Sequence, residues 1–457
     1  MVCRFTGLTV LVATVIGLAN GPVAYSQTES PRWVTAWATS QQGLGQANVT
    51  NMTLRLIARV TAGGESIRIR LDNGYGTEPL RVGAASVGHR MRGADLIPGT
   101  NRPVRFNGQR SVTIAPGSSV QSDPVSLSVL ARQDLAVSLH VSGAEIRPSV
   151  HRGALVTSYA SANNAGDLTG DEGRSGFGET ITAMWWIKSI DVLTSSVGGA
   201  VVAFGDSITD GSCSTLDGFD RWEDWLAVRF DAVDNVAARR AVVNEGIGGN
   251  TVTRENLRPL PTSTTGIDRL ERDVLSHHGV TDVILFMGTN DIRREASARQ
   301  VTAGMEAIID RLRARELRIH GATIIPRHNR APTENNSGWT REKTRVRNEV
   351  NDWIRNDAPF DQVIDFDAVV RDPSDPDLIF PAYNCDDIHP TPRGYYEMGW
   401  SVPLGIVASE TMVSAALYRP VRTLLAFIRA IPLILVAMLM VGAVGLGPLP
   451  GIIAVAF

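Results

Sequence analysis

The strongest constraint on the fold comes from the second half of the chain, where apolar segments typical of strands alternate with helical segments. The apolar segments include AVVAFGD, AVVNEG, DVILFMGTND, RIHGATIIP and QVIDFD, and the helical ones include DRWEDWLAVRF, ARQVTAGMEAIIDRLRAR and REKTRVRNEVNDWIRN. Near-continuous apolar strands that each precede a helix indicate a parallel sheet covered on both faces. From about residue 200 we therefore expect an α/β domain that binds ligands beyond the carboxyl ends of its strands.

Residues 32 to about 190 show a different pattern, in which apolar and polar residues alternate over short segments. TLRLIARV, SIRIRLDN, SVTIAPG and LAVSLHVSG are separated by residues that favour turns. Several short alternating strands with frequent turns predict an antiparallel β-sandwich. The polar, glycine-rich residues 160–179 are expected to form a long surface loop.

The two ends of the chain bear on its location. Arg4, the apolar residues 8–18 and the small residues Ala24 and Ser26 fit a secretory signal peptide over residues 1–26, with an uncleaved anchor as the alternative. Residues 424–457 form a largely apolar tail, with no charge from residue 430 onward. A membrane anchor would need about 20 such residues, and the prolines within the tail shorten any helix. Both a membrane anchor and an amphipathic tail remain open.

Charge and composition exclude one class of partner. The formal net charge is −3 and the charged fraction is 20%. A nucleic-acid-binding protein usually carries a strong basic patch, so no nucleic-acid partner is expected.

Polar residues follow several of the predicted parallel strands, at the point where each strand ends. Ser207 follows the first strand, Gly248-Gly249-Asn250 the second, and Gly288-Thr289-Asn290-Asp291 the third. Asp386 and His389 stand three residues apart near the end of the domain. If these segments share one edge of the sheet, a serine, a histidine, a carboxylate and several hydrogen-bond donors converge there.

These side chains are the set that acyl transfer requires. Ser207 is the candidate nucleophile, and His389 is the base that would take its proton. Asp386 would hold the imidazole in the correct tautomer. The N–H groups of Ser207 and Gly249 and the side chain of Asn290 would donate to the oxyanion. This chemistry requires no metal and no cofactor.

Each signal has a plainer interpretation when it is taken alone. A Gly-Asp-Ser turn is usually structural, and Thr209 replaces the second glycine of a G-x-S-x-G nucleophile elbow. GIGGNT only partly matches a dinucleotide-binding loop, because Asn250 interrupts the glycine pattern. His277 and His278 lack partners at metal-ligand spacing, so we expect them in a surface turn. Asp387 could replace Asp386 as the partner of the histidine but is expected to be a solvated or capping carboxylate.

Together, FGDSITDG, GGNT, GTND and DDIHP resemble the motifs of the SGNH, or GDSL-type, hydrolase family. The four namesake residues of the family match Ser207, Gly249, Asn290 and His389, and its acid matches Asp386. The resemblance implies a flavodoxin-like α/β/α domain, here residues 198–405, and ester hydrolysis through an acyl-enzyme without a metal. RWVTAWATSQQ and MWWIKSIDVL are similar to an exported bacterial branch with an N-terminal β domain, here residues 32–190. After Trp400 the sequence departs from the closing amphipathic helix of typical members.

The sequence therefore predicts an exported serine esterase that acts on small acyl esters, including an acetylated carbohydrate or polysaccharide. Two alternatives remain open. One is a non-catalytic carbohydrate-binding protein, and the other is a short-chain lipase that docks on a membrane through the C-terminal tail.

Cysteine placement gives one further expectation. Without the signal peptide the chain keeps only Cys213 and Cys385. Contact between Ser207 and His389 would draw both flanking loops to one edge of the sheet, and export would supply an oxidising compartment. We therefore expect a Cys213–Cys385 disulfide, with two free thiols as the alternative.

Overall fold

The structure, a computed structural model, describes residues 30–255, 257–333 and 337–407, and of residues 403–407 it describes the backbone alone. The predicted signal peptide and the apolar tail lie outside these residues. Among the helices of the described ranges, none is both long and apolar enough to span a membrane. The described chain from Pro31 onward belongs to one compact unit.

The first part of this unit is antiparallel, as the alternating sequence pattern predicts. A four-stranded sheet has the order β1-β15-β4-β9, and an eight-stranded sheet is built around β13-β12-β3-β10-β5-β6, with β7 and β8 also paired to β5. A small third sheet has the order β14-β11-β2. The strands are β1 (Arg32–Ala38), β2 (Gly43–Leu44), β3 (Met52–Arg59), β4 (Ser66–Asp72), β5 (Leu80–Arg92), β6 (Asp95–Leu96), β7 (Arg102–Val104), β8 (Val112–Ile114), β9 (Ser119–Gln121), β10 (Asp134–Val141), β11 (Ser149–His151), β12 (Ser158–Ala160), β13 (Glu179–Ile181), β14 (Met184–Trp185) and β15 (Ile187–Thr194).

The second part contains a parallel five-stranded sheet in the order β17-β16-β18-β19-β20. Its strands are β16 (Ala200–Gly205), β17 (Ala241–Gly246), β18 (Val280–Phe286), β19 (Arg318–Ala322) and β20 (Gln362–Ile364). Numbered within this part, the strand order is 2-1-3-4-5, which is the flavodoxin-like order. The predicted parallel α/β fold is confirmed.

Helices cover both faces of the parallel sheet. They are α1 (Ser207–Asp210), α2 (Trp222–Asp231), α3 (Gly266–Leu270), α4 (Thr289–Arg293), α5 (Ala298–Arg313), α6 (Arg341–Asn356), α7 (Phe366–Val370) and α8 (Pro392–Val407). Side chains of α5 and α6 share one apolar cluster with Val202 and Phe204 of β16. Side chains of α2, α7 and α8 share a second cluster with Val201 and Ala203. Alternate side chains of β16 thus pack against two helical layers, one on each face of the sheet. Helix α8 completes the second layer, at the position where the sequence did not clearly predict a closing helix.

The antiparallel region is packed directly against the parallel sheet. Apolar residues of β1, β3 and β15 belong to the same buried cluster as those of β16 and β18. The hydroxyl of Thr61 donates to Val242 O and accepts from Val242 N–H, both at 2.9 Å, at the edge strand β17. An exposed edge strand invites unwanted pairing. The antiparallel region therefore covers this edge and shares the core.

A buried charged network also joins the two regions. Lys188 of β15 lies 2.5 Å from Asp273 and 3.5 Å from Glu245, and all three side chains are almost fully buried. The hydroxyl of Ser40, also from the antiparallel region, donates to Glu245. Buried charges are tolerated when they are paired and hydrogen-bonded, so the two regions depend on each other for these partners.

Candidate active site

Ser207 lies at the junction between β16 and the short helix α1. The preceding residue, Asp206, caps this helix, because its carboxylate accepts a hydrogen bond of 3.0 Å from the N–H of Ile208. The N–H of Ser207 itself donates to no acceptor among the described residues. The first N–H groups of a helix have no partner within the helix, so this donor remains available at the strand end.

His389 and Asp386 lie beside Ser207 in a continuous chain of hydrogen bonds. The Nε2 atom of His389 is 2.8 Å from Ser207 Oγ. Its Nδ1 atom is 2.9 Å from one carboxylate oxygen of Asp386 and 3.0 Å from the other. Asp386 Oδ1 also accepts from the backbone N–H groups of Ile388 and His389. These bonds fix the carboxylate, and the carboxylate in turn fixes the imidazole ring.

The environment shifts the ionisation of both groups. Burial acts to raise the pKa of Asp386, but the hydrogen bonds from the side chain and backbone of His389 outweigh it, so this pKa lies below its ordinary value. Burial lowers the pKa of His389 below its usual value of 6.5, although the Asp386 carboxylate acts in the opposite direction. The arrangement therefore favours a carboxylate beside a neutral imidazole that is ready to accept a proton.

Hydrogen-bond donors lie on the loops that follow the neighbouring strands. Gly249 follows β17 with φ of 73°, in the left-handed region that favours glycine. Its N–H donates to no acceptor in the described chain. Asn290 lies in α4 after β18, and its buried side-chain nitrogen has no partner among the described residues. A buried donor without an acceptor is costly, so the unpartnered nitrogen of Asn290 is unusual for a side chain that serves packing alone.

Asp291 holds two of these loops together. Its carboxylate accepts from the N–H groups of Val252 and Thr253, at 2.9 and 3.1 Å. Burial raises the pKa of Asp291 to about 7. The residue beside Asn290 therefore fixes the loop that carries Gly249.

Arg269, which the sequence analysis missed, braces the same edge from within. This buried side chain of α3 donates to Gly205 O at the end of β16 and to Glu245 O near the end of β17, both at 2.8 Å. Its Nε donates to the side chain of Asn250 at 2.9 Å. An arginine within a helical pattern normally indicates a solvated face, so no local signal distinguishes this one.

Arg327 is a second residue that the sequence analysis did not identify. It follows β19 at the same sheet edge and is only 6% exposed. Its guanidinium lies 5.2 Å from the centre of the Trp339 ring and forms no hydrogen bond or close ion pair with any described residue. Burial lowers the pKa of Arg327 to about 10, and its charge acts on Asp206 and Asp386. It also helps to lower the pKa of His389.

The two cysteines flank this arrangement. Cys213 and Cys385 form a disulfide in the structure, with their Cα atoms 6.4 Å apart. In the described part of the chain, the grouping with metal-ligand geometry is Cys213, Asp386 and His389. Its sulfur belongs to the disulfide, and its carboxylate already accepts from His389. The sulfur and the carboxylate of this grouping are therefore already engaged with partners within the protein.

The remaining histidine and aspartate expectations have mixed outcomes. The prediction that His277 and His278 form a surface turn is wrong for His277, which is buried, with Nε2 2.5 Å from Glu245 Oε1. The ring of His278 is 2.9 Å from Asp191. Both partners are far away in sequence, so spacing could not reveal them. Asp387 contacts His328 and Asn384 and leaves His389 to Asp386.

Comparison with known proteins places the second part of the chain in a class and then in a family. The sheet is parallel and carries polar side chains at its carboxyl edge, and residues 203–396 match the model of the GDSL-like Lipase/Acylhydrolase family. This region belongs to that family, of the SGNH or GDSL type.

Solved structures and one curated protein are also similar. A carbohydrate acetylesterase from Sinorhizobium meliloti is 18% identical, with a TM-score of 0.35, over 44% of this chain and 94% of the other. The aryl esterase of M. smegmatis is 20% identical, with a TM-score of 0.33, over 45% and 96%. The cryptic phosphonate transport system permease protein PhnE1 of Escherichia coli (strain K12) is 46% identical over 54 residues, or 12% of this chain. This chain spans 26% of that permease.

Proposed function

We propose that the protein is an exported serine esterase in which Ser207, His389 and Asp386 form the catalytic triad. The observation that carries this proposal is the hydrogen-bonded chain from Ser207 Oγ through the imidazole to Asp386, with distances of 2.8 and 2.9 Å. This chain lies at the carboxyl edge of the parallel sheet, where such folds bind ligands.

The proposed reaction proceeds in two halves. Ser207 Oγ attacks the ester carbonyl carbon while His389 Nε2 takes the hydroxyl proton, and Asp386 stabilises the imidazolium that forms. The N–H groups of Ser207 and Gly249 and the amide of Asn290 donate to the oxyanion of the tetrahedral intermediate. When the intermediate collapses, His389 returns the proton to the departing alcohol. Water, deprotonated by His389, then releases the acid from the acyl-enzyme and restores Ser207.

The polarity of the site favours a short acyl group on a hydroxyl-rich alcohol. Asp386, the buried Arg327 and the unpartnered amide of Asn290 belong to loops at this sheet edge, whereas a site for a long alkyl chain is lined mostly by apolar side chains. Acetylated carbohydrate is the substrate class that fits this description. The Cys213–Cys385 bridge is consistent with export, because disulfides persist in oxidising compartments.

A panel of p-nitrophenyl esters from acetate to palmitate, assayed beside acetylated xylan in the presence of EDTA, tests the proposal. We expect activity on the short esters and on the polysaccharide. Ser207→Ala should lower the rate on the order of 10⁴-fold while the thermal midpoint is kept. If the rate of the Ser207→Ala variant is within tenfold of the wild-type rate, Ser207 is not the nucleophile. Binding of the polysaccharide without hydrolysis would favour a carbohydrate-binding protein, and a preference for palmitate would favour a lipase.

A further inference from the structure

His151 of the antiparallel region reaches the nucleophile helix of the hydrolase region. It ends β11 and is 4% exposed. Its Nδ1 atom is 2.7 Å from Ser40 O, with the amide of Gln42 3.3 Å from the same nitrogen. Its Nε2 atom is 3.0 Å from Asp210 Oδ1. The ring is thus fixed within the antiparallel region and presents one nitrogen to the hydrolase region.

Asp210 connects two parts of the candidate active site. It is the last residue of α1, the helix that Ser207 begins. Its Oδ2 atom accepts a hydrogen bond of 2.9 Å from the N–H of Gly248. The two carboxylate oxygens therefore have separate partners, one in each region of the molecule.

The end of β17 packs directly against the backbone of α1. A Cβ atom placed on Gly246 would lie 2.2 Å from the backbone nitrogen of Asp210. Gly248 follows two residues later, and the N–H of the next residue, Gly249, is a donor proposed for the oxyanion. The Gly248 N–H belongs to the Ile247–Gly248 peptide, so anchoring it fixes the peptide immediately before the one that carries the Gly249 N–H and restricts where that donor can lie.

We propose that His151 is a positioning residue for the oxyanion loop, acting through Asp210 and Gly248. This inference rests on the proposed function. It gives the antiparallel region a direct part in catalysis, because one of its side chains sets the direction of an oxyanion donor. Without His151, Asp210 Oδ1 would be a buried acceptor lacking a partner, which is unfavourable. The carboxylate would then reorient or take up a proton, and its bond to Gly248 would weaken.

The expected kinetic signature differs from that of a purely structural contact. The oxyanion exists in the transition state, so a misdirected donor lowers kcat and leaves KM nearly unchanged. His151→Leu should lower kcat roughly 10- to 100-fold, which is the range for a small misplacement in an active site. The inhibition constant of an alkyl boronate, which mimics the tetrahedral intermediate, should rise by a similar factor. His151→Gln keeps a donor towards Asp210 and should stay within a few-fold of the wild type.

A matched control is available in another buried histidine. His320 of β19 is 2% exposed and lies 3.1 Å from Asp282, which is near the start of β18 and away from the Ser207 edge. His320→Leu should leave kcat and the boronate inhibition constant of the folded protein unchanged. The thermal midpoint of each variant shows whether that variant is folded at the assay temperature. If His151→Leu does not fold, His151→Asn, whose amide is too short to reach both Ser40 and Asp210, takes its place with the same expected loss.

A double-mutant cycle separates the proposed path from a general effect. Asp210→Ala removes both carboxylate oxygens and so both contacts, and it should also lower kcat. Adding His151→Leu should then cause little further loss, because both changes break the same connection. Independent, additive losses would contradict the path through Asp210, as would a His151→Leu variant with wild-type kcat. If Ser207→Ala retains esterase activity, the proposed function itself fails, and that outcome is distinct from either result.

Discussion

At the scale of single residues, the site contains some side chains that a local sequence motif identifies and others that no local motif identifies. Ser207, Asn290 and His389 lie in recognisable motifs at strand ends. Arg327 and Arg269 have no such signal, although one adjusts the electrostatics of the imidazole and the other joins two strand ends. Both are buried arginines. The energetic cost of burying such a charge makes a functional or bracing role the natural reason for their presence.

The side chain of Asn290 should act on turnover rather than on binding. Its buried nitrogen has no partner in the described structure and is proposed to donate to the oxyanion. Asn290→Ala should lower kcat by roughly 10²–10³-fold with little change in KM. Steady-state kinetics on p-nitrophenyl acetate measure both values. A raised KM with unchanged kcat would instead make Asn290 a ground-state binding residue.

The pH dependence should follow His389. The base must be neutral, so kcat/KM falls as the pH drops through the pKa of the free enzyme. Burial lowers the pKa of His389, so we expect the acid limb below pH 6.5. The positive charge of Arg327 also lowers the pKa of His389. Arg327→Met should therefore raise this pKa and move the acid limb of the pH profile to higher pH. Arg330, an exposed arginine on the same loop, provides the control, and Arg330→Met should leave the acid limb in place. A limb that does not respond to Arg327→Met would show that the two groups are uncoupled.

At the scale of elements, the sequence patterns predict the parallel sheet and its polar edge because each strand and its following loop are local. Val201 to Phe204 are apolar on both sides and run directly into Ser207, which is a signal contained in a few residues. The partners of His151, His277 and Lys188 are far away in the chain, and they meet only when the antiparallel region packs on the sheet. Sequence spacing carries no information about such contacts, which explains why His277 was wrongly expected at the surface.

The loops that carry Ser207 and His389 should be joined covalently. Cys213 and Cys385 are separated by 172 residues and bridge the nucleophile loop to the histidine loop. Mass spectrometry of the protein alkylated without reduction should show a cross-linked peptide pair. Cys213→Ser should lower the stability by roughly 2–4 kcal/mol in a denaturation experiment. Two alkylated cysteines in the unreduced protein would rule out the bridge.

At the scale of the whole molecule, the antiparallel region acts as part of the enzyme rather than as an appended module. It covers the edge strand β17, shares the core with the parallel sheet and supplies Ser40, His151 and Lys188 to buried polar groups of the hydrolase region. These contacts imply that the stability of one region depends on the other.

Lys188 offers a test of this dependence. Lys188→Met removes a buried charged donor to Asp273, while Arg269 and Arg272 still pair with that carboxylate, so the variant should lower the free energy of unfolding by about 1–3 kcal/mol. Arg345→Met removes an exposed partner of Glu342 and serves as the control, with no change expected. Chemical denaturation of both variants gives the comparison. A Lys188→Met variant as stable as the wild type would show that Asp273 and Glu245 do not need this charge.

The most direct test of the account is covalent labelling of the nucleophile. A p-nitrophenyl phosphonate should react once per protein, and peptide mapping should place the phosphonyl group on Ser207, since the activated hydroxyl is the atom that attacks. His389→Ala should slow this labelling strongly, and Ser207→Ala should abolish it. Labelling of a different serine, or equal labelling of Ser207→Ala and wild type with loss of esterase activity in both, would contradict the assignment of Ser207.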